Sequence, residues 1–345
     1  MFREKEINEE LKDHKQNCDK LCMKRLEECK ENKTPPWTRE DVIFVLKNFK
    51  TGKSQDPYGL PNEIFKPDIA GSDLITALTS LMNRIKSDII YPTSMEFYNV
   101  TNLYKNKGER SLYSSYRGIF RSPVLRNILD KLMHNDEYNT IDEYLTDGNV
   151  GSRKHRNVRD NLFVINAVMN EAKQKPEVSL DLNVYDAFKC FDSMWLKECI
   201  NDLYESGLKN DQLAVLYESM KSAPIAIQTS SGTTKSININ EKVMQGTVWA
   251  GLMCTTTMDK LCKVFYEDPN LMYKFRGSVP VPPLEMVDDI ATISKCGTTS
   301  VTTNSVVNTF MEQKKLKLNH EKCGKIHIGK KGSDINCPTN YAHKN

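Results

Sequence analysis

Leu284-Glu-Met-Val-Asp288-Asp289-Ile-Ala-Thr-Ile293 sets two adjacent aspartates between two short apolar runs, Leu284 to Val287 and Ile290 to Ile293. That pattern predicts a β-hairpin whose turn displays both carboxylates. A third acid, Asp186, closes the alternating stretch Val178-Ser-Leu-Asp-Leu-Asn-Val-Tyr-Asp186, which is expected to form another strand. Carboxylates gathered at strand ends make a hard-oxygen site for divalent cations. Two Mg²⁺ ions held there can activate an attacking 3′-hydroxyl and stabilise a leaving pyrophosphate, which is the chemistry of nucleotidyl transfer. An Asp-Asp turn alone is a common solvated turn, so the weight rests on what surrounds it.

Asp186 opens the run Asp186-Ala-Phe-Lys189-Cys-Phe191-Asp192; Val243-Met-Gln245-Gly246-Thr follows, and then Met286-Val-Asp288-Asp289. In this order the three segments resemble motifs A, B and C of the reverse transcriptases of non-LTR (LINE-like) retrotransposons. Asn99 to Phe120, containing Tyr116-Arg117-Gly118-Ile119, resembles motifs 1 and 2, and Leu316-Lys-Leu-Asn319-His-Glu-Lys322 resembles motif D. His327-Ile-Gly329 stands where motif E would come. The resemblance runs from about Lys47 to Lys331. It includes Lys50-Thr-Gly-Lys53-Ser-Gln-Asp56-Pro-Tyr58-Gly59, similar to the Gly-Lys-Ser-x-Gly-Pro-Asp-Gly segment that opens the fingers of these enzymes. Asp56 stands where the family has Gly and Tyr58 where it has Asp, which puts the backbone of that loop in question.

The resemblance implies an α+β right-hand polymerase with fingers and palm, the palm built on a small antiparallel sheet packed on helices. It implies RNA-directed DNA synthesis, with an RNA template, a DNA primer and deoxynucleoside triphosphates as partners. Asp186, Asp288 and Asp289 would bind two Mg²⁺ ions, with the smallest share of coordination falling to Asp289. Arg117 would clamp the incoming triphosphate, helped by Lys105 or Lys107, because a guanidinium matches planar phosphate geometry. Ala187 would also touch the nucleotide, and Phe191 would lie under its sugar and exclude a 2′-hydroxyl. Gln245 and Gly246 would approach the nascent base pair, ahead of a helix expected from about Val248 to Lys263. Lys322 is a candidate general acid for the departing pyrophosphate. Two other readings stay open: a group II intron or retron-type reverse transcriptase, and a truncated or domesticated retroelement fragment that binds nucleic acid without polymerising.

Strand parity raises a difficulty. Asp186 shares its face with Leu180, Leu182 and Val184, so the strand is expected to end, twist or bulge near Tyr185. Asp181 also offers an acid near an aromatic, but its spacing to Asp186 is one residue short of motif A.

Across 345 residues the formal net charge is +3, without the global excess of a typical nucleic-acid binder. Basic residues cluster locally instead, at Arg153-Lys154-His155-Arg156 with Arg159, and at Lys314, Lys315, Lys317, Lys322, Lys325, Lys330 and Lys331. Both clusters are candidate phosphate contacts. Ten cysteines show no zinc-knuckle spacing and are expected as free thiols in a reducing compartment. No secretory leader and no bilayer-length apolar run is present, so the expected location is intracellular, in nucleus or cytoplasm, with no membrane association. Residues 1–36 read as a charged helical segment, with Ile7, Leu11, Leu21 and Leu26 at loosely helical spacing. Residues 37–331 read as the polymerase domain, fingers mainly 37–174 and palm mainly 175–331. Thr38 is expected to cap a helix burying Val42, Val45, Leu46 and Phe49. The tail, 332–345, is too short for a thumb, so weak, salt-sensitive primer-template binding and distributive synthesis are expected. Oligomeric state is not legible.

Overall fold

Thr38 starts a helix as its position predicts. Its hydroxyl accepts the Asp41 N–H at 3.2 Å, and the Asp41 carboxylate accepts the Thr38 N–H at 2.8 Å, a reciprocal cap. The helix buries Val42, Val45 and Leu46, and Phe49 is buried just beyond its end. The structure is a computed structural model that describes residues 9–175, 177–229 and 231–329. Ile7, Lys330, Lys331 and the 332–345 tail lie outside the described residues, as does the side chain of Leu11.

In chain order the elements are α1 (Glu9–Glu31), α2 (Arg39–Lys47), α3 (Pro67–Asp88), β1 (Tyr98–Tyr104), β2 (Tyr116–Arg121), α4 (Val124–Tyr144) and α5 (Val158–Gln174). There follow β3 (Leu180–Asp186), α6 (Cys190–Ser193), α7 (Leu196–Glu205), α8 (Asp211–Met220), β4 (Ser222–Thr229), β5 (Gly232–Thr233) and β6 (Ile237–Asn240). The last are α9 (Ala250–Glu267), β7 (Tyr273–Phe275), β8 (Val279–Val281), β9 (Leu284–Met286), β10 (Asp289–Lys295), α10 (Thr298–Gln313) and β11 (Gly324–Ile328). With 51% helix and 19% strand in small separate sheets, the chain is of α+β composition. No helix among the described residues is long and apolar enough to cross a membrane.

The chain divides into two units. The first runs to Tyr144 and resumes over Met194–Met253. Its sheet has the order β2-β1-β4-β5, with β6 also on β4, and β1 runs parallel to β4. Tyr98, Val100, Phe120, Ala223, Ile225, Ile239 and Met244 form its core, and Tyr98 meets Phe120 edge to face at 6.1 Å. Helix α1 packs on α7 and α8. Its buried stripe is Cys22, Leu26 and Cys29, whereas Leu21 is exposed, so the thiols do the packing that the leucine spacing had suggested.

The fingers-like loop of this unit resolves the question raised by Asp56. Its carboxylate accepts the N–H groups of Tyr58 and Leu60, both at 2.8 Å, and that of Val124 at 3.0 Å. Asp56 is absent from the left-handed residues, and Gly59 supplies the positive φ, 81°. The side chain thus builds the turn, and no glycine is needed at 56.

The second unit takes Leu145–Ser193 and resumes at Cys254. It holds the antiparallel sheet β11-β3-β10-β9 and the small ribbon β7-β8. Leu180, Leu182 and Ile293 on one sheet face pack with Val168 and Ala172 of α5 and with Tyr273 and Val281 of the ribbon. The opposite face is polar and buried, carrying Asp181, Asn183, Thr292 and Ser294.

Candidate active site

Asp186 ends β3 directly opposite Asp289, the first residue of β10. On the other side of β10, Asp289 pairs with Met286 of β9, so the hairpin turn is Val287-Asp288. The expectation that both acids sit in the turn is corrected: Asp289 belongs to the strand, and register pins it beside Asp186. Val287 has φ 63°, which is uncommon for a β-branched residue and has the sign that tight hairpin turns use at their first position.

The parity difficulty resolves without a bulge. Pairing is unbroken from Lys295 opposite Leu180 to Asp289 opposite Asp186. The apolar cover of that face stops at Leu182: Val184, on the same side, is 37% exposed, and the Asp186 carboxylate emerges one step further on. Beyond β3 the chain is held by the motif D segment, through Phe188 N–H to Lys317 C=O at 2.7 Å and Asn319 N–H to Asp186 C=O at 2.8 Å.

Both oxygens of the Asp186 carboxylate have partners. Lys322 Nζ lies 2.7 Å from Oδ1, and Asn319 Nδ2 donates to Oδ2 at 3.0 Å. The hydrogen bond from Lys322 to Asp186, ahead of the surrounding carboxylate charges, pushes the Lys322 ammonium above its ordinary range. Burial pushes the Asp288 carboxyl up, with the Asp289 charge adding to it; burial and then Asp186 do the same to Asp289. These are hard oxygens crowded beyond the countercharge within reach, the condition a divalent cation relieves, so the donor set fits such an ion. The three carboxylates are not drawn in as tightly as two other clusters, Asp181–Cys296–His327 and Asp259–Cys262–Glu285, whose ligand atoms lie within 4.8 Å of one another. Asn319 is a functional position the sequence reading passed over: it lay inside a named motif, but only the fold shows its amide orienting Asp186.

A second feature was invisible in the sequence. Residues 148–151 run alongside β9: Glu285 N–H donates to Gly148 C=O at 2.9 Å, and Val150 N–H donates to Glu285 C=O at 3.0 Å. Asn149, fully buried, donates to Glu285 Oε2 at 2.8 Å and to Thr255 C=O at 3.1 Å. Arg153 donates to the carbonyls of Thr146 and Asn149, and Arg156 pairs with Asp147 at 2.8 Å. These two members of the first basic cluster therefore brace this segment, where phosphate contacts were expected.

Glu285 is sealed beneath the turn, and its Oε1 has no partner. Burial, then the Asp259 charge, holds its carboxyl well above the ordinary range. The folded state thus binds a proton that the unfolded state releases above the ordinary glutamate value, so the protein loses stability as pH rises through that interval. Glu285→Gln removes this dependence. Relative to the parent, the variant is expected to gain thermal stability as pH is raised from about 5 to 8. A difference in melting temperature that stays constant across that range would contradict the protonated reading.

The remaining site residues fall as follows. Ala187 is buried and bridges to Leu318. Phe191 is half-buried in α6, reached through Lys189 in a left-handed conformation, φ 49°. In the first unit, Arg117 is exposed on β2 opposite Leu103 of β1. Lys105 and Lys107 follow β1; the Lys105 ammonium donates to Ser114 C=O at 3.0 Å, and Lys107 is exposed. Gln245 C=O accepts the Phe120 N–H at 3.1 Å. Gly246 has φ 105°, and a Cβ there would come within 3.1 Å of the Phe120 carbonyl oxygen, so motif B is seated on β2 through a position only glycine fits. The helix after it begins at Ala250, two residues later than its expected start, and runs on to Glu267.

With this geometry in hand, the family comparison is decisive: the family model of reverse transcriptase (RNA-dependent DNA polymerase) matches residues 104–338, more than half of the chain. The chain belongs to that family. It is an RNA-directed DNA polymerase, a nucleotidyltransferase, with the palm and fingers fold that the family implies. A comparison with curated proteins returned no match. All three aspartates, Lys322, Arg117, Phe191 and Gln245-Gly246 of this reverse transcriptase lie inside the matched span.

Proposed function

We propose that this reverse transcriptase is of the non-LTR retrotransposon type, extending a DNA primer on an RNA template, with Asp186, Asp288 and Asp289 as ligands of two Mg²⁺ ions. The observation that carries the site is the register of β3 against β10, which sets Asp186 beside Asp289 with Lys322 on Asp186. When bound, the ions would lower the pKa of the primer hydroxyl and neutralise the leaving pyrophosphate. Asn319 keeps the Asp186 carboxylate oriented, and Lys322 would hand a proton to the leaving group. Arg117 would take the triphosphate together with Lys107, since the Lys105 ammonium is already engaged by Ser114. Support for the non-LTR type is the run Asp186 to Asp192 and the stretch Val243 to Lys260. The test is primer extension on an RNA template with Mg²⁺ and with EDTA. Metal-dependent incorporation of deoxynucleotides is the expected result, and binding without extension would favour a non-polymerising retroelement fragment.

Sugar choice gives a finer test. Phe191 sits five residues after Asp186, at the first turn beyond the strand, where an aromatic ring can lie under the ribose. Phe191→Val is expected to raise the ratio of ribonucleotide to deoxynucleotide kcat/KM by about tenfold or more, since loss of a steric contact is worth roughly 1–3 kcal/mol of discrimination. An unchanged ratio in a folded, active variant returns Phe191 to the core.

A further inference from the structure

At the end of β3 opposite to Asp186, a mixed cluster of metal-ligating side chains lies outside everything assigned above. Side chains of a strand alternate, so Ser179, Asp181 and Asn183 share one face. His327 of β11 is the direct cross-strand partner of Asp181, and Ser294 of β10 is its partner on the other side. Cys296, two residues beyond Ser294, is brought in by its N–H to Ser179 C=O bond of 3.0 Å. The ligand atoms of Asp181, Cys296 and His327 all lie within 4.8 Å of one another, and His327 Nδ1 is 3.0 Å from Asp181 Oδ1.

We propose that Asp181, Cys296 and His327 form a site for a zinc-class transition-metal ion that clips the ends of β3, β10 and β11 together. The donor set combines imidazole nitrogen, thiolate sulfur and carboxylate oxygen, which suits a borderline-soft ion and not Mg²⁺. Tetrahedral bonds of about 2.0–2.3 Å place donors roughly 3.3–3.8 Å apart, inside the 4.8 Å within which the three ligand atoms already lie. Two of the three ligands also have the outer partner such sites use. Lys325 Nζ holds the second carboxylate oxygen of Asp181 at 2.8 Å, and Oδ1 faces His327 Nδ1, so an ion would take the place of that contact. Ser179 Oγ lies 3.4 Å from His327 Nε2, fixing the ring so that Nδ1 faces the cluster. Asp181 is fully buried while His327 and Cys296 reach the surface, which gives an ion a path in. The buried polar layer beside Asp181 is under-satisfied: the Asn183 amide and the Ser294 hydroxyl have no hydrogen-bond partner. Binding would release the Cys296 proton, and a water would complete the coordination. The ion leaves the Asp186 end of the strand untouched.

Titration of the full chain with Co²⁺ alone tests this. A thiolate-to-cobalt charge-transfer band saturating at one ion per chain is expected, bleached by added Zn²⁺. Cys296→Ser abolishes the band, His327→Gln weakens affinity by about tenfold or more, and Cys18→Ala and Cys323→Ser leave it intact. Zn²⁺ also raises the melting temperature of the parent and not of Cys296→Ser. No band in the folded parent, or an undiminished band in Cys296→Ser, overturns the proposal and leaves Asp181, Lys325 and His327 as a buried ion-pair cluster. Both readouts are independent of polymerase activity.

Discussion

Asp186→Asn and Asp288→Asn are each expected to lower primer extension on an RNA template by on the order of 10³-fold while leaving primer-template affinity within about twofold, because phosphate contacts elsewhere supply binding. The substitution keeps the shape of the side chain and removes its charge. At position 186 it also strips Lys322 of its partner, held at 2.7 Å, and leaves Asn319 facing an amide. Carboxylates this crowded exist at a cost that burial and mutual repulsion both raise, so their retention together points to a task that needs the charge. Single-turnover extension and filter binding, measured side by side, separate the two effects. If both variants extend primers at the parental rate, the metal-ligand assignment of the β3–β10 pair is wrong.

Gly151→Ala is expected to damage catalysis more than folding. A Cβ at 151 would sit 2.5 Å from the Val287 amide nitrogen and 2.9 Å from Thr255 Oγ1. The nearer obstacle is the backbone of the Val287-Asp288 turn, already left-handed at Val287, so the turn has to move. Overpacking of this kind costs about 1–3 kcal/mol, and displacement of reacting groups by about 1 Å costs on the order of 10²-fold in rate. Extension should therefore fall by about 10²-fold with a melting temperature lowered by only a few degrees. Gly324→Ala on β11, where a Cβ meets nothing within 4 Å, serves as the control. Parental activity in Gly151→Ala would show that the turn tolerates the shift.

What could be read from the sequence was whatever neighbours along the chain decide. The Thr38 cap, the strand ending at Asp186 and the hairpin around Asp288 depend on residues a few positions apart, and apolar alternation with turn chemistry reveals them. Placing Asp289 in the turn missed by one residue, because Val287, a β-branched residue, takes the left-handed position that composition assigns to Gly or Asn. Hidden from sequence were the contacts made across long separations. Asn149 on Glu285, Asn319 on Asp186 and the gathering of Asp181, Cys296 and His327 join residues that no local spacing relates. Knuckle spacing cannot relate Asp181, Cys296 and His327, which stand on three different strands or their ends. Asp181, set aside for its spacing, is a buried ion-pair centre on the face opposite to that of Asp186.

The topology of the second sheet has a consequence for the newborn chain. β3 is flanked on one edge by β10 and on the other by β11, and neither is made until about a hundred residues after it. At about 5–20 residues per second, β3 leaves the ribosome some 5–20 s before its first partner exists. During that interval a strand with one apolar face stands with both hydrogen-bonding edges open, an arrangement prone to pair with another chain. Synthesis of this polymerase therefore passes through a window in which a holdase, or slow production at low temperature, should govern how much soluble protein is recovered.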